Sequence, residues 1–415
     1  TPINKALRMN AKGAVIRSQE FYSQEEFRRW QETDDAKGWT MRYYKGLGTY
    51  DPKEAREFCA NMRLTLFYWS QAPVMYLQAE REASAHMFEL AFAKKYENAR
   101  KDWLNTGAPE PLALTDKINR LSYDQFIDRR MKLFSMADNI RSIPSLMDGL
   151  KPAQRKVLAA CFKRDLRSSI KVAQLGGYVS EHMDYHHGEA ALFETIVGMA
   201  RNYVGVNNIN LLVPEGQFGT RRGGGPKMKK GDDSAQARYI FTRMSYITGL
   251  LFNREDRPLL NYRTSDGQQV EPDYFLPVIP TVLVNGALGI GTGYSTTIPC
   301  YNPLDLTRNV RQVLAGEPQG ELTPWYRGYN GRIISLGANR YLTVGDYVRT
   351  GPDTIRIREL PVGAKNCKSF TAYMAFLNTL LDEETARLHG IVPAAKRAKK
   401  EAEEAAADDS DDEGS

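Results

Sequence analysis

The chain has 415 residues, of which 42% are hydrophobic and 26% charged, a composition that excludes a disulfide-stapled miniprotein and a wholly disordered chain. Its length allows about two to four domains. The net charge of +6 averages a basic body, with 52 basic and 42 acidic residues at positions 1–390, and an acidic tail, with 4 basic and 8 acidic residues at positions 391–415. A basic body suits a polyanionic partner, although a solvated charged surface is the commoner explanation.

The longest uncharged run lies between Asp273 and Asp305, and prolines and glycines interrupt it. We expect buried core and turns there, because a membrane-spanning helix needs about 20 apolar residues with few breakers. The four cysteines show no paired spacing, which is typical of a protein in a reducing compartment. Their spacing also does not match a zinc motif.

The first 120 residues combine short apolar runs with turns and helices. Residues 41–44 are predicted to form a strand and residues 51–62 a helix. A charged amphipathic helix is predicted over residues 83–103. The Pro/Gly connection that follows, at residues 107–111, is typical of a linker between domains.

From residue 122 to about residue 204 the helical period dominates, and Pro152 predicts a helix start. Successive short helices followed by a strand-like segment at residues 238–241 have the order of a winged helix-turn-helix. Residues 280–390 are predicted to be β-rich. Residues 391–415 form an Ala/Glu/Asp tail that cannot bury enough apolar surface to fold.

Two clusters of polar side chains precede predicted helices. The first could contact phosphates or form a solvated first turn, and it contains Lys151, Arg155 and Lys156. The second is Tyr185-His186-His187-Gly188-Glu189. Adjacent histidines point in different directions and no third ligand lies at a useful spacing, so hydrogen bonding near a phosphate is favoured over a metal site.

A glycine-rich loop at residues 221–231 is the strongest local indication of nucleic-acid binding. Its glycines let the backbone follow an irregular anion, and each cation could release a counterion from DNA, although a surface loop without a ligand also explains the composition. The five cations are Arg221, Arg222, Lys227, Lys229 and Lys230. Because such a loop buries little, we expect their replacement to leave folding unaffected.

Arg238 and Tyr239 lie side by side at the predicted strand edge. One tyrosine among 22 is most simply a core or surface residue. Tyrosine acts as a nucleophile only when cations stabilise its anion and the attacked group.

Several stretches, in order along the chain, then indicate a family. They are Tyr44-Lys-Gly-Leu-Gly-Thr49, Leu90-Ala-Phe-Ala-Lys-Lys95, Arg141-Ser-Ile-Pro-Ser145, Asp148-Gly-Leu-Lys-Pro152, Lys171-Val-Ala-Gln-Leu175, Tyr185-His-His-Gly-Glu189, Asn207-Asn-Ile-Asn-Leu-Leu212, Gly216-Gln-Phe-Gly-Thr220, Arg238-Tyr-Ile-Phe-Thr242, Gly289-Ile-Gly-Thr-Gly293 and Ile357-Arg-Glu-Leu-Pro-Val362. Over about residues 1–375 the chain resembles the breakage-reunion core of eukaryotic-type type IIA DNA topoisomerases (DNA topoisomerase II).

The resemblance implies that Tyr239 attacks a DNA phosphodiester, forms a 5′-phosphotyrosyl bond and releases the 3′ hydroxyl. Arg238, Arg141 and His187 match groups that stabilise the charge of the phosphoryl transition state. Ile290 matches an apolar wedge that enters a base step. The remaining predicted DNA contacts are Lys45, Lys151, Arg155, Lys156, Lys171 and the five loop cations. Turn-making by Gly46 and Gly48 explains the Lys45 motif equally well.

The implied fold is a multidomain α/β protein. Residues 1–120 would be a C-terminal remnant of a TOPRIM-like α/β domain with linker helices, residues 121–279 a winged-helix breakage-reunion domain, residues 280–390 a partial α+β tower domain and residues 391–415 a disordered acidic tail. The implied partners are double-stranded DNA and, in the full-length enzyme, a second copy of the chain.

The implied cofactors are Mg²⁺ and ATP. The family holds Mg²⁺ on a Glu-Gly-Asp-Ser-Ala motif and an Asp-x-Asp-x-Asp cluster, and neither motif occurs here, so no metal ligand is assigned. We therefore expect a fragment, a truncated paralogue or one part of a split enzyme. The isolated chain should bind DNA but form almost no covalent adduct.

A different class of function also fits the sequence, namely a non-catalytic winged-helix DNA-binding module. The basic cluster at residues 396–400 predicts a nuclear location, with viral or organellar origins left open.

Overall fold

The computed structural model describes residues 2–10, 13–33, 37–44, 51–70, 83–110, 112, 118–223, 233–265, 268–337, 340–363, 367 and 369–378. The predictions for Lys45, Lys227, Lys229, Lys230 and the tail 391–415 lie outside these residues. The chain divides into two units, of which the first comprises the residues up to Asn139 with Gly291–Tyr294, and the second the remainder. The four-region division remains a prediction.

The first unit combines an antiparallel three-stranded sheet, a parallel strand pair and helices. The three-stranded sheet has the order β2-β1-β3, and β4 pairs with β5. The elements are β1 (Asn4–Met9), β2 (Val15–Phe21), α1 (Gln24–Gln31), β3 (Thr40–Tyr43), α2 (Pro52–Ala60), β4 (Leu64–Tyr68), α3 (Ala83–Phe92), a 3₁₀ turn (Lys94–Tyr96), α4 (Glu97–Asn105), β5 (Ile118–Ser122), α5 (Tyr123–Gln125), a π-helix (Phe126–Met131) and α6 (Lys132–Ser142), which runs past the unit boundary along the chain.

Local sequence accounts for the beginning of α2. Asp51 accepts hydrogen bonds from the N–H groups of Lys53 and Glu54, the Glu54 side chain reaches back to the Asp51 N–H, and Pro52 stands at the first helical position. This capping box satisfies donors that a helix start leaves free. The predicted helix at residues 51–62 and strand at residues 41–44 are thus confirmed within a few residues.

The single long helix predicted over residues 83–103 is wrong. The segment breaks into α3, the 3₁₀ turn and α4 without any proline or glycine. The guanidinium of Arg100 donates hydrogen bonds to the carbonyl oxygens of Leu90 (2.9 Å) and Ala93 (2.7 Å) at the end of α3. A side chain from the following helix thus satisfies carbonyl groups that a helix end leaves free.

The second unit packs helices against a short antiparallel sheet of order β6-β8-β7, followed by β-hairpins. Its elements are α7 (Pro152–Arg164), β6 (Ile170–Lys171), α8 (Val172–His182), α9 (Glu189–Ala200), β7 (Leu212–Glu215), β8 (Phe241–Met244), α10 (Tyr246–Leu251), a 3₁₀ helix (Arg254–Leu259), β9 (Tyr262–Ser265), β10 (Gln268–Pro272), α11 (Thr281–Val284), β11 (Ala287–Ile290), β12 (Ser295–Ile298), α12 (Pro303–Ala315), β13 (Arg332–Ser335), β14 (Tyr341–Val344), β15 (Asp346–Gly351) and β16 (Thr354–Glu359).

The core of this unit lies where α7, α8 and α9 meet the sheet. Leu158, Leu175, Leu192 and Leu212 are fully buried there. Pro152 opens α7 as predicted, and the β-rich character of the segment from residue 280 is confirmed by β11–β16, with α11 and α12 as unpredicted helices. None of the described helices is long and apolar enough to cross a membrane.

Candidate functional site

Tyr239 lies on a tight turn, residues 236–240, which we call the tyrosine turn. The strand predicted at residues 238–241 is wrong at this point, because β8 begins only at Phe241. The Tyr239 N–H donates to the Gln236 carbonyl (2.9 Å), and Ile240 turns into the core. The turn leaves the Tyr239 side chain 65% exposed.

The first turn of α8 holds the tyrosine turn by two backbone hydrogen bonds, one to a residue on each side of Tyr239. The N–H groups of Val172 and Ala173, in the first turn of α8, donate to the carbonyl oxygens of Ile240 (3.0 Å) and Ala237 (3.1 Å). These are donors that a helix start leaves without intrahelical partners. The backbone of Tyr239 is thereby held at the positive end of the α8 dipole, a place that favours anions.

One cation contacts the Tyr239 ring, and a second lies near Phe241, where β8 begins. The Arg238 guanidinium lies over the Tyr239 ring, 4.9 Å from the centroid, and Arg238 is exposed. Lys171, the residue before α8, is exposed and its Nζ atom lies 6.0 Å from the Phe241 ring centroid. Both distances are within cation–π range.

A glycine allows the neighbouring backbone to approach the turn. Gly216 has φ of +111°, and a Cβ atom there would stand 2.9 Å from the Cγ2 atom of Ile240. An L side chain would therefore strain the backbone and collide with the residue that anchors the tyrosine turn.

A second cluster surrounds a pocket of about 580 Å³, which we call the basic pocket. It lies between the end of α6, the start of α7, residues 184–187 and the β9–β10 hairpin. Four of the residues predicted from the sequence line it, namely Arg141, Lys151, Lys156 and His187. Among the described residues, neither Arg141 nor Lys151 forms an ion pair.

The acids of the basic pocket are engaged by neighbouring groups. Lys156 Nζ donates to Glu271 Oε2 (2.7 Å) and to the Met183 carbonyl (2.6 Å), so this ammonium braces the wall. Asp184 contacts His186 Nε2 at 2.6 Å and accepts a hydrogen bond from Ser265. Burial alone would raise the pKa of Asp184, but the hydrogen bonds from Ser265 and His186 lower it overall.

Tyr185 lines the basic pocket together with Arg141 and His187. Its ring meets the His187 ring edge-on with centroids 5.5 Å apart. Burial raises the pKa of the Tyr185 phenol, and the positive charge of Arg141 opposes that rise. The phenol therefore stays protonated at neutral pH and can donate a hydrogen bond towards the pocket.

Arg155 is corrected from a DNA contact to a structural residue. It is 5% exposed, and its Nε and Nη2 atoms donate to Asp148 at 2.7 and 2.9 Å. Asp148, fully buried, also accepts from the N–H groups of Leu150 and Phe275. A guanidinium enclosed in this way cannot reach a phosphate, and it instead holds the turn before Lys151.

Two of the cations predicted in the loop at residues 221–231 lie in the described part of the chain, and their environments differ. Arg221 is 8% exposed, is ion-paired with Glu359 and donates to the Leu360 carbonyl (2.5 Å), so its predicted DNA contact is corrected to a structural role. Arg222 is exposed. Asp233 closes the base of the loop by accepting the Thr220 N–H (2.8 Å) and hydroxyl (2.5 Å).

Ile290 lies at the end of β11 and is 77% exposed. Strand β11 crosses directly over the segment after Arg141, because a Cβ atom on Gly289 would stand 2.6 Å from the Ser142 carbonyl oxygen. Leu288 shares the exposed face of the strand with Ile290. Sequence reasoning missed Leu288, although the alternation of small and large residues along the strand could have indicated it.

The structure thus forms two clusters from the predicted residues, one around Tyr239 and one around Arg141 and His187. Tyr239 and Arg238 do not line the basic pocket. Glu271 and Asp184, which brace the basic pocket, were missed because Glu271 stands 115 residues from Lys156 and carries no local signal. Among the described residues, no three His, Cys, Asp or Glu side chains are placed to hold a metal ion.

Comparison with known proteins agrees with the resemblance. Residues 141–400 match the A-subunit family of DNA gyrase/topoisomerase IV, and residues 1–139 match the C-terminal associated domain of TOPRIM. The chain is 46% identical to DNA topoisomerase 2 of Arabidopsis thaliana over 92% of this chain and 25% of that protein, and 46% identical to DNA topoisomerase 2 of Candida albicans over 89% and 24%.

A solved structure, the Plasmodium falciparum topoisomerase II DNA-binding, cleavage and re-ligation domain, superposes with a TM-score of 0.70 and 40% identity over 94% of this chain and 50% of that chain. The chain spans about a quarter of the length of the curated relatives it matches. It therefore belongs to the A-subunit family of DNA gyrase/topoisomerase IV and, within it, to the eukaryotic-type type IIA DNA topoisomerases.

Proposed function

We propose that the chain carries the DNA cleavage and religation centre of a type IIA topoisomerase, an ATP-hydrolysing enzyme that cuts both strands of duplex DNA. The observation that carries the proposal is the tyrosine turn, where an exposed phenol stands on a backbone clamped by α8 and beside the Arg238 guanidinium. Attack on a phosphodiester requires a positioned nucleophile next to cations. The name of the similar P. falciparum domain supports the same reaction here.

In the proposed reaction, the Oη atom of Tyr239 forms a bond to the phosphorus of a DNA phosphodiester and loses its proton. The bond between that phosphorus and the 3′ oxygen breaks, and the 3′ oxygen takes up a proton to leave as a hydroxyl. The product is a 5′-phosphotyrosyl bond. Its reversal reseals the strand, because one ester is exchanged for another.

The cations of both clusters serve the transition state. Arg238 already contacts the nucleophile ring, and Arg141 and His187 are assigned to the phosphoryl oxygens. Removing one such donor from an enzyme site typically costs about 10²–10³ in rate. Tyr185 positions His187 by its edge-on ring contact.

Backbone contacts to the duplex are assigned to exposed or pocket-lining cations, namely Lys151, Lys171 and Arg222. Ile290 is assigned to the wedge between base pairs, with Leu288 beside it, because large apolar side chains this exposed gain by entering a base step. Contacts to phosphate carry no sequence information, so the expected binding depends little on sequence.

The finer architecture belongs to the same proposal. Helices α7–α9 with the β6-β8-β7 sheet form the winged-helix domain within residues 121–279. Residues 1–120 are a remnant of the TOPRIM-like domain, and residues 280–390 are part of a tower.

The whole enzyme acts as a homodimer in the nucleus and uses Mg²⁺ and ATP, as its similarity to DNA topoisomerase 2 proteins supports.

The test is detection of protein covalently attached to labelled duplex DNA on denaturing gels, with the chain supplied with the metal-binding segment of the family in cis or as a second polypeptide. A 5′-phosphotyrosyl adduct should map to Tyr239 by peptide mass. Tyr239→Phe should abolish the adduct and leave DNA binding unchanged. Tyr246→Phe is the matched control, because Tyr246 is 80% exposed in the same unit and should keep the adduct.

An adduct that survives Tyr239→Phe, or that maps to another tyrosine, contradicts the nucleophile assignment. DNA binding without any adduct, even with the metal-binding segment present, would favour a non-catalytic DNA-binding module.

A further inference from the structure

A pocket of about 520 Å³ in the first unit carries three arginines. It is formed by the region of α1, by residues 108–109 and by the π-helix and the start of α6. The three cations are Arg28 on α1 and Arg129 and Arg130 on the π-helix. Segments of π-helix are rare and occur frequently at functional sites.

The described wall of this pocket carries an excess of positive charge. None of the described residues that line it is acidic. Of the acids near these arginines in sequence, Glu26 accepts the N–H of Tyr22, which itself lines the pocket (3.0 Å), and Asp128 accepts the Trp103 Nε1–H (2.7 Å). Among the described residues, the three arginines form no ion pair, in contrast to Arg42, which pairs with Glu54 at 3.0 Å.

The rest of the wall is mainly apolar. Ile3, Pro109 and Leu133 supply aliphatic surface, and the Tyr22 ring adds an aromatic face that Arg63 covers from 4.0 Å. The volume falls within the range of about 300–1,000 Å³ that is usual for small-ligand sites. Aliphatic surface beside guanidinium groups suits a ligand with a flat organic part and an anionic part.

Three guanidinium groups around one pocket raise its positive potential, which favours an anion there. An anion that binds there lowers this potential and accepts charge-assisted hydrogen bonds. Guanidinium groups match phosphate oxygens with two parallel donors each, so phosphate is the anion that three arginines serve best.

We propose that this pocket binds a nucleoside phosphate, with the phosphate on Arg28, Arg129 and Arg130 and the base and sugar against the apolar wall. The ligand is a free nucleotide or the phosphorylated end of a nucleic-acid strand, which share this chemistry. The site lies in the first unit and is independent of the tyrosine turn, so its test does not depend on the proposed cleavage reaction.

The experiment is calorimetric titration of the whole chain with thymidine 5′-monophosphate, thymidine and inorganic phosphate at low salt. Thymidine 5′-monophosphate should bind at least tenfold more tightly than either of the other two. Arg129→Gln and Arg130→Gln should each weaken that binding about tenfold, because each removes charge-assisted hydrogen bonds. Arg8→Gln removes one charge from an exposed position of the same unit and should leave binding unchanged.

Two comparisons complete the test. A short single strand with a 5′ phosphate that binds more tightly than thymidine 5′-monophosphate identifies a strand end as the ligand, and the reverse order identifies the free nucleotide. Unchanged binding in both Arg129→Gln and Arg130→Gln, with the variants folded by circular dichroism, overturns the proposal. So does an acidic peptide that binds more tightly than the nucleotide and depends on the same arginines.

Discussion

The buried pair of Arg155 and Asp148 provides the sharpest prediction about the scaffold of the site. Replacing Arg155 by methionine keeps most of the side-chain volume but removes two hydrogen bonds to Asp148 and one to the Leu150 carbonyl (2.9 Å). Asp148, with no exposed surface, is then left as a buried carboxylate without a counter-charge. The turn before Lys151 loses the group that holds it.

The loss of stability expected for Arg155→Met follows from the burial of the Arg155–Asp148 pair. Removing one partner of a buried ion pair typically costs about 3–5 kcal/mol in the free energy of unfolding. A matched control is Arg167→Met, because Arg167 pairs with Asp165 while both side chains are largely exposed, at 76% and 62%. Exposed pairs contribute about 0–1 kcal/mol, so the same substitution there should have little effect.

The assay is urea denaturation followed by circular dichroism, with calorimetry to separate the transitions of the two units. The double variant Asp148→Asn with Arg155→Met should be more stable than Arg155→Met alone, because no unpaired charge remains and the amide oxygen still accepts a backbone N–H. The reasoning is refuted if Arg155→Met costs no more than Arg167→Met, or if the double variant loses the sum of the two single losses.

Three further predictions concern the two arginines at residues 221–222, the salt dependence of DNA binding and the buried thiol of Cys161. Arg221→Ala should lower the free energy of unfolding, measured by denaturation, by about 3–5 kcal/mol because it leaves Glu359 buried without its partner. Arg222→Ala should weaken DNA binding, measured by fluorescence anisotropy, without a change in stability. Affinity for unrelated duplexes should fall steeply and similarly between low and moderate salt, and a flat salt response would contradict phosphate-based binding. Burial raises the pKa of the Cys161 thiol to about 12, so the free energy of unfolding should decline as pH rises from the ordinary thiol pKa of 9.0 towards 12. At pH 8, a maleimide should label the exposed Cys59 but not Cys161 in the folded chain.

The burial of Arg221 corrects an expectation from the sequence. A glycine-rich loop was expected to bury little, so that all five of its cations could be replaced without loss of folding. Arg221 lies at the edge of that loop, where its guanidinium is enclosed by Glu359 and the Leu360 carbonyl. The partner is 138 residues away along the chain, so no local pattern could indicate the pair.

Local signals in the sequence determined several features by themselves. Asp51 and Pro52 define the start of α2, and Pro152 defines the start of α7, because caps and prolines act on their own turn of helix. The ordered motifs determined the family and the candidate nucleophile, Tyr239. These inferences rest on residue type and on spacing along the chain, both of which are present before folding.

The tertiary structure alone decided which cations can meet a ligand. Arg155 and Lys151 lie four positions apart, and nothing in their types predicts that one is enclosed by Asp148 while the other lines the basic pocket. The same holds for the break after α3, which depends on Arg100 reaching back to the carbonyl groups of that helix. A guanidinium donates hydrogen bonds to the acceptors that the folded chain brings within about 3 Å of it. Which acceptors these are depends on packing between segments that are distant in sequence.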